Sequence, residues 1–573
     1  MYHSKKNTMK KIISIISLCS LIAASCSKMD LAPQDAYSSQ TFFTTQSEAM
    51  TSLSACYALA NMGGQFEGGN NYFLDDITDN AYCGFTNQLA FFIPLGTVTS
   101  SLTGKYADFY RTYFPYTGIA ADNFFLASID KVQMDASLKE RWKAEVRFLR
   151  AFDYARKYMF WGGVPLVTKP LDSGEETTIP RSSGDSIVQF CLDELTDVIG
   201  ILPNSTDGDD AARATKGAAL LLKARLELFC AGIKANGMSD GVTEKGSTDA
   251  SAAAKYYTAA AADAQTIIAM NQYRLSPDYE GLFWEKNQGS ADRQGEVILE
   301  VAYSYPKYGS DLSALYTLNE GGWNSESPTQ DIVDEYETKN GKTIKNDPTY
   351  NAGNPYANRD PRLSYSVIYP GMWWNDRYFN SISTAGGDEY YNSSNGNRSK
   401  TGYCMRKYCA PLADLLHDPG SDVQGLNFIV MRYPEVLLTR AEALIELNQN
   451  LGEAATLINQ VRQRPGVNLP PIIASDQVTM RSQVRHERRV ELAFEGLRWY
   501  DMKRWKIAET KMNGNVYGVR PGTVNTTTGA ITLTGNNITV GDVRVFKADR
   551  DYYFPIPQVD IDLTPIVKQN PNW

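Results

Sequence analysis

Histidine is nearly missing from this chain, and its scarcity removes several chemistries at once. Three are present in 573 residues, His3, His417 and His486. His486-Glu487 opens like H-E-x-x-H, but Val490 stands where the second histidine must lie one helical turn on, which excludes a metalloprotease helix. Cysteine is almost as sparse. Cys19, Cys26, Cys56, Cys83, Cys191, Cys230, Cys404 and Cys409 form no C-x-x-C pair and no Cys/His cluster, so a zinc site is excluded and no disulfide framework can be read. No G-x-S-x-G elbow, P-loop or Gly-rich dinucleotide fingerprint stands in a strand-turn-helix setting. Asp207-Gly208-Asp209-Asp210 lacks the twelfth-position carboxylate of an EF-hand and reads as a solvated turn. Positive charge is not in excess either: 56 Lys and Arg against 65 Asp and Glu leave a net charge of -9, which disfavours a polyanionic partner such as nucleic acid.

Long apolar runs are missing beyond the N-terminus. Lys5, Lys6, Lys10 and Lys11 precede an apolar run from Ile12 to Ala24 that is too short to span a bilayer, the pattern of a cleaved secretory signal over residues 1–25. Ala23-Ala24-Ser25-Cys26 closes it. Small residues before a cysteine are similar to a lipoprotein signal-peptidase site, at which Cys26 would be acylated and become the first mature residue.

What is abundant is helical spacing. Segments 47–59, 139–160, 213–231, 252–270, 433–448, 451–463 and 480–505 carry apolar residues at i, i+3, i+4 and i+7. Small residues at facing positions predict paired packing of the tetratricopeptide kind, without a clean 34-residue repeat. The expected architecture is a mostly α, tetratricopeptide-like helical superhelix with long aromatic-rich loops and a few short β-strands. Residues 295–301 are the clearest strand. Arg213-Ala214-Thr215 can cap a helix, Gly162-Gly163 can end one, and Pro434 suits a first turn.

The run from Glu487 to Trp505 is the most informative. Val490, Ala493, Phe494 and Leu497 make an apolar stripe, while Arg488 with Glu491 and Glu495 with Arg498 are spaced to pair across a turn. A solvated scaffold helix laced with ion pairs is the physical expectation. The run resembles the late signature of the SusD/RagB family of Bacteroidetes surface glycan-binding lipoproteins. Similar to that family too, and in its order, are Ala144 to Phe152 with Trp161 to Val167, Thr215 to Ala219, Asn358-Arg359-Asp360-Pro361-Arg362-Leu363, Arg432-Tyr433-Pro434, Val461-Arg462-Gln463-Arg464 and Tyr553-Phe554-Pro555-Ile556-Pro557. The resemblance covers residues 26–573 as one domain. It implies outer-membrane, surface-exposed anchoring through Cys26, glycan capture without catalysis or cofactor, and hand-over to a SusC-like TonB-dependent transporter.

Three aromatic-rich loops, about 70–110, 303–327 and 370–403, hold the candidate ligand residues. The first contributes Asp79 and Tyr82, the second Tyr305, Tyr308, Tyr316 and Trp323, the third Trp373, Trp374, Arg377, Tyr378 and Tyr391. A sugar offers an apolar C–H face and a rim of hydroxyls, so rings beside Asp, Asn and Arg match both. Trp323, between Gly321-Gly322 and Asn324-Ser325, lacks aliphatic neighbours and leads the set. Two rival readings stand beside glycan capture: a cell-surface glycoside hydrolase, whose paired carboxylates are a spatial fact invisible in sequence order, and a repeat-based protein-binding adaptor.

Overall fold

Hydroxyl and carboxylate caps start the long helices. Thr45, Asp135, Ser183, Thr215, Asp249 and Asp476 each accept a hydrogen bond from a backbone N–H two or three positions further on, satisfying donors that the first turn leaves without partners. The computed structural model describes residues 43–62, 73–86, 89–101, 114–242, 246–419 and 424–573. Expectations for residues 1–25 and Cys26, and for parts of the first loop, fall outside them.

The principal helices are α1 (Gln46–Leu59), α2 (Thr117–Ser128), α3 (Ala136–Trp161), α4 (Gly184–Ile199), α5 (Lys216–Ala235), α6 (Ala250–Ala269), α7 (Tyr433–Glu446), α8 (Leu451–Arg462), α9 (Gln477–Glu491) and α10 (Arg498–Arg504). Each of α3 to α6 packs on the next, α6 packs on α7, and α7 meets both α8 and α9. Small side chains let α5 and α6 approach: Ala253, Ala260 and Ala261 close against Leu228 and Ala231. The tetratricopeptide-like expectation therefore holds. Gly162 ends α3 at φ 76°, and Pro434 sits in the first turn of α7. Two helices, α2 and α4, were absent from the sequence reading. The signal for α4 was present in Ser183 followed by the stripe Ile187, Val188, Cys191, Leu195 and Val198.

Strands are short. They include β1 (Ala81–Cys83), β2 (Val297–Val301), β3 (Glu326–Pro328), β4 (Trp373–Trp374), β5 (Arg377–Tyr378) and β6 (Phe428–Arg432). Antiparallel pairs join β1 to β3, β2 to β6 and β4 to β5. The expected strand at 295–301 is β2, although Gly295 and Glu296 end a short helix, Ala291–Glu296, instead. The long insertion between α6 and α7 has an apolar core of its own, with Tyr279, Phe283, Tyr316, Trp374, Phe379 and Tyr403 among its members. The six described cysteines, Cys56, Cys83, Cys191, Cys230, Cys404 and Cys409, are all buried. No helix among the described residues is long and apolar enough to cross a membrane.

The expected helix over 480–505 is two helices, not one. The chain leaves α9 at Glu491 and turns through Phe494 (φ 64°) and Gly496 (φ 75°) before α10. Asp75, in the one-turn helix Phe73–Asp76, holds that turn. Its carboxylate accepts from Phe494 N at 3.2 Å and from Gly496 N at 2.8 Å. Nor is the charged face solvated. Glu487, Glu491, Arg488, Arg489 and Arg498 are all buried, and neither expected pair forms. Arg488 reaches Asp501, Arg498 reaches Asp79, and Glu495 takes Arg432 and Lys407.

Instead, segments far apart in sequence meet in one buried lattice. Glu491 accepts from Arg432 at 2.6 Å, Arg464 at 2.9 Å and Arg362 at 2.9 Å. Glu487 takes Arg362 at 2.6 Å and Arg462 at 3.0 Å, while Glu296 takes Arg464 and Arg432. These arginines come from the 358–363, 432–434 and 461–464 segments, so several of the short stretches that resembled one family are parts of one ionic core. Burial opposes ionisation of Glu491, yet Arg432, Arg464 and Arg362 outweigh it and hold the carboxyl well below the usual carboxylate range.

Candidate functional site

Backbone geometry sorts the two tryptophans of the third loop. In the β4–β5 hairpin Trp373 pairs with Tyr378 and Trp374 with Arg377, joined by Asn375 and Asp376 at φ 47° and 63°. Two successive positive φ values make the tight hairpin turn that Asn and Asp tolerate. Alternation along a strand then sends neighbours to opposite faces. Trp373 is 58% exposed and meets the Tyr378 ring edge-on at 4.9 Å, whereas Trp374 is 2% exposed under the Arg406 guanidinium. Trp374 is therefore corrected from ligand contact to core.

Arg377 faces inward as well, and pairs with the buried Glu320 at 2.8 Å. That contact ties the hairpin to the loop carrying Trp323. There the chain closes so tightly on Tyr316 that a Cβ on Gly322 would lie 2.1 Å from the Tyr316 carbonyl oxygen. Trp323 is lifted to 44% exposure while Tyr316 is sealed at 1%. Tyr316 is thus a second correction. Tyr305 remains exposed and stacks on His417 at 3.8 Å, and Tyr308 is more exposed still, standing in a separate recess beside Tyr57 and Arg213.

Asp79 is a third correction. It is buried between Arg489 at 3.0 Å and Arg498 at 2.8 Å, and although burial opposes its ionisation these arginines hold it well below the usual carboxylate range. Its work is structural.

The described part of the first loop and the end of the third come together in a cleft of about 700 Å³. Tyr82, Phe85 and Phe91 form one wall, Tyr391, Asn392 and Asn397 another, and Ile538 to Gly541 a third. β1 positions the first wall by pairing Tyr82 with Ser327 of β3. Ser399 donates to the same Ser327 at 3.1 Å and so brings the second wall alongside. The third wall lies against Tyr82: a Cβ on Gly541 would sit 2.0 Å from its hydroxyl. Tyr82 is largely buried in the first wall, and Tyr391 is half-buried in the second. Arg398 and Lys400 also line it. Sequence reading missed both cations and the 538–541 wall. No local pattern marks them, because the cleft exists only once three distant segments meet.

Among the described residues no carboxylate lines this cleft, and no group of three or more His, Cys, Asp or Glu suited to a metal occurs. The string Gly237-Met238-Ser239-Asp240-Gly241 matches G-x-S-x-G by letter, but it follows helix α5 rather than a strand. The two described histidines are engaged elsewhere, His417 with Glu285 and His486 with Glu335.

A helical superhelix with aromatic side chains on inserted loops defines a binding scaffold, and the comparisons place it. Residues 280–573 match the model of the SusD family, and residues 38–228 match a model described as starch-binding, associating with outer membrane. The chain belongs to the SusD family. SusD-like protein P38 of Formosa agariphila is 26% identical over 66% of this chain and 69% of its own length. SusD-like protein P2 of the same organism is 23% identical over 96% of each chain. A crystal structure of a SusD-like carbohydrate binding protein from Bacteroides fragilis is similar with a TM-score of 0.76 and 27% identity, covering 92% of this chain and all of the other.

Proposed function

We propose that this protein captures an oligo- or polysaccharide at the cell surface and passes it, unmodified, to a SusC-like TonB-dependent transporter in the outer membrane. The observation that carries the reading is the cleft, whose rings stand beside amide side chains and solvent, together with the exposed Trp373 and Trp323. Rings supply stacking area for C–H faces and amides supply hydrogen bonds to hydroxyls. Family membership and the carbohydrate-binding relative from Bacteroides fragilis support the ligand class. The model described as associating with outer membrane supports the location, and a lipid on Cys26 would supply the anchor.

Hydrolysis would require two carboxylates flanking the bound sugar. The described cleft lining offers none, which favours capture over cleavage. A glycan-array screen of protein beginning after Cys26 tests the reading directly, with incubation of each bound glycan to look for new reducing ends. Specific binding without new ends is expected. Absence of binding to any glycan, or steady release of reducing ends, overturns it. Gentle detergent extraction should copurify a barrel transporter, and Cys26→Ala should free the protein from the membrane fraction or leave it unprocessed.

A further inference from the structure

The charges at the cleft are unlike those of the ionic core around Glu491. Arg398 donates from Nε to the Tyr391 carbonyl at 2.7 Å and from Nη1 to the Asn395 carbonyl at 3.0 Å. Neither acceptor carries charge, and Nη2 has no protein partner among the described residues. Among the described residues Lys400 donates to the Gly396 carbonyl alone, at 2.7 Å. Two cations two residues apart thus face one cleft whose lining, among the described residues, holds no carboxylate. In the ionic core around Glu491 the arginines are matched by carboxylates instead, as Arg362 is by Asp360, Glu487 and Glu491.

We propose that the cleft recognises an anionic saccharide, with the Arg398 guanidinium and Lys400 ammonium gripping a carboxylate or sulfate group while Phe85, Phe91 and Tyr391 contact the sugar rings. This rests on the glycan-capture reading and adds a ligand class to it. Two carbonyls fix the guanidinium plane and leave one edge for an oxyanion, the charge-assisted geometry for which arginine is suited. Burial and, next, the Arg398 charge hold the Lys400 amine below its ordinary range, a cost that a bound anion would reverse. The net charge of -9 argued against a polyanionic partner as a whole. Local charge at the cleft has the opposite sign, and at a Debye length of about 8 Å in physiological salt the local cations dominate what enters.

The test is calorimetric titration with three groups of glycans: alginate and polygalacturonate for carboxylates, dextran sulfate and carrageenan for sulfates, dextran, laminarin and xylan for uncharged chains. At least one anionic glycan should bind more tightly than every uncharged one, weaken as NaCl rises, and lose about 10- to 100-fold in affinity with Lys400→Gln or Arg398→Gln. Lys255→Gln, which removes the same charge from an exposed site on α6, should leave affinity unchanged. The carboxylate and sulfate groups tell the two sources apart. Arg398→Gln also releases two backbone carbonyls, so Lys400→Glu is the cleaner reversal and should abolish anionic binding with an unchanged melting curve. Binding to uncharged glycans alone, or anionic binding indifferent to all three cleft variants, overturns this inference and leaves glycan capture standing. Binding to none overturns both.

Discussion

The ionic core around Glu491 and the cleft around Arg398 use the same residue types to opposite ends. In the core, each guanidinium is enclosed and met by carboxylates from distant segments. At the cleft, the described partners of Arg398 and Lys400 are uncharged carbonyls, and both residues are half-buried. A buried ion pair is costly to assemble and costlier to break, because removing one partner strands the other in a low dielectric. Positions of that kind hold the scaffold. Arg398 and Lys400, half-buried at a cleft and held by uncharged carbonyls, are available for a ligand.

That contrast is broken most directly at Glu491. Glu491→Gln would leave Arg432, Arg464 and Arg362 short of their shared anion and should lower the unfolding free energy by about 5 kcal/mol in urea titration. A loss below about 1 kcal/mol would mean that the lattice is not what secures the α9–α10 turn. Next in size is the neighbour pair in the hairpin. Trp374→Ala should cost about 3 kcal/mol of stability by opening a cavity, without a specific effect on glycan affinity beyond the weakened fold.

Asp75 sharpens the comparison through pH. Burial raises its carboxyl to about 6, against hydrogen bonds from Asn80, Gly496 and Phe494 and the nearby Lys407 charge. Asp76 and Glu326, beside it, are pushed up by burial first and by neighbouring carboxylates next. A folded-state value above the unfolded one means that stability from Asp75 is complete below the unfolded value and is lost as pH rises through about 6. The stability of the wild type relative to Asp75→Asn should therefore fall between pH 4 and pH 7, by about 1–3 kcal/mol. Urea midpoints at several pH values measure it, and a difference that rises over that window contradicts the assignment.

The smallest effect on the fold is expected at Trp373. Trp373→Ala should change stability by no more than about 0.5 kcal/mol, yet lower glycan affinity by about 5- to 150-fold if the ring stacks on ligand. Equal melting curves with equal affinity would remove the hairpin from the site and leave the cleft alone.

Much of the scaffold was legible because it is local. The cap at Thr215, the stop at Gly162, the first-turn Pro434 and the β-rich Val297 to Val301 depend on residues within a turn or two of themselves. The hairpin was legible in principle, since Asn375-Asp376 between the two-residue arms Trp373-Trp374 and Arg377-Tyr378 predicts alternation, and that rule alone separates Trp373 from Trp374. The break after Glu491 was not. Phe494 adopts a positive φ that its own sequence disfavours, and the carboxylate that holds the turn belongs to Asp75, some four hundred residues away. The charge-rich run likewise looked solvated because local spacing suggested partners on the same helix, whereas burial supplied them from other segments. By itself the sequence determined the helical class, the family and the pool of aromatic candidates. Tertiary structure alone decided which charges are enclosed and paired and which face a cleft, because an ion's partner and its dielectric surroundings are set by whatever distant chain folds against it.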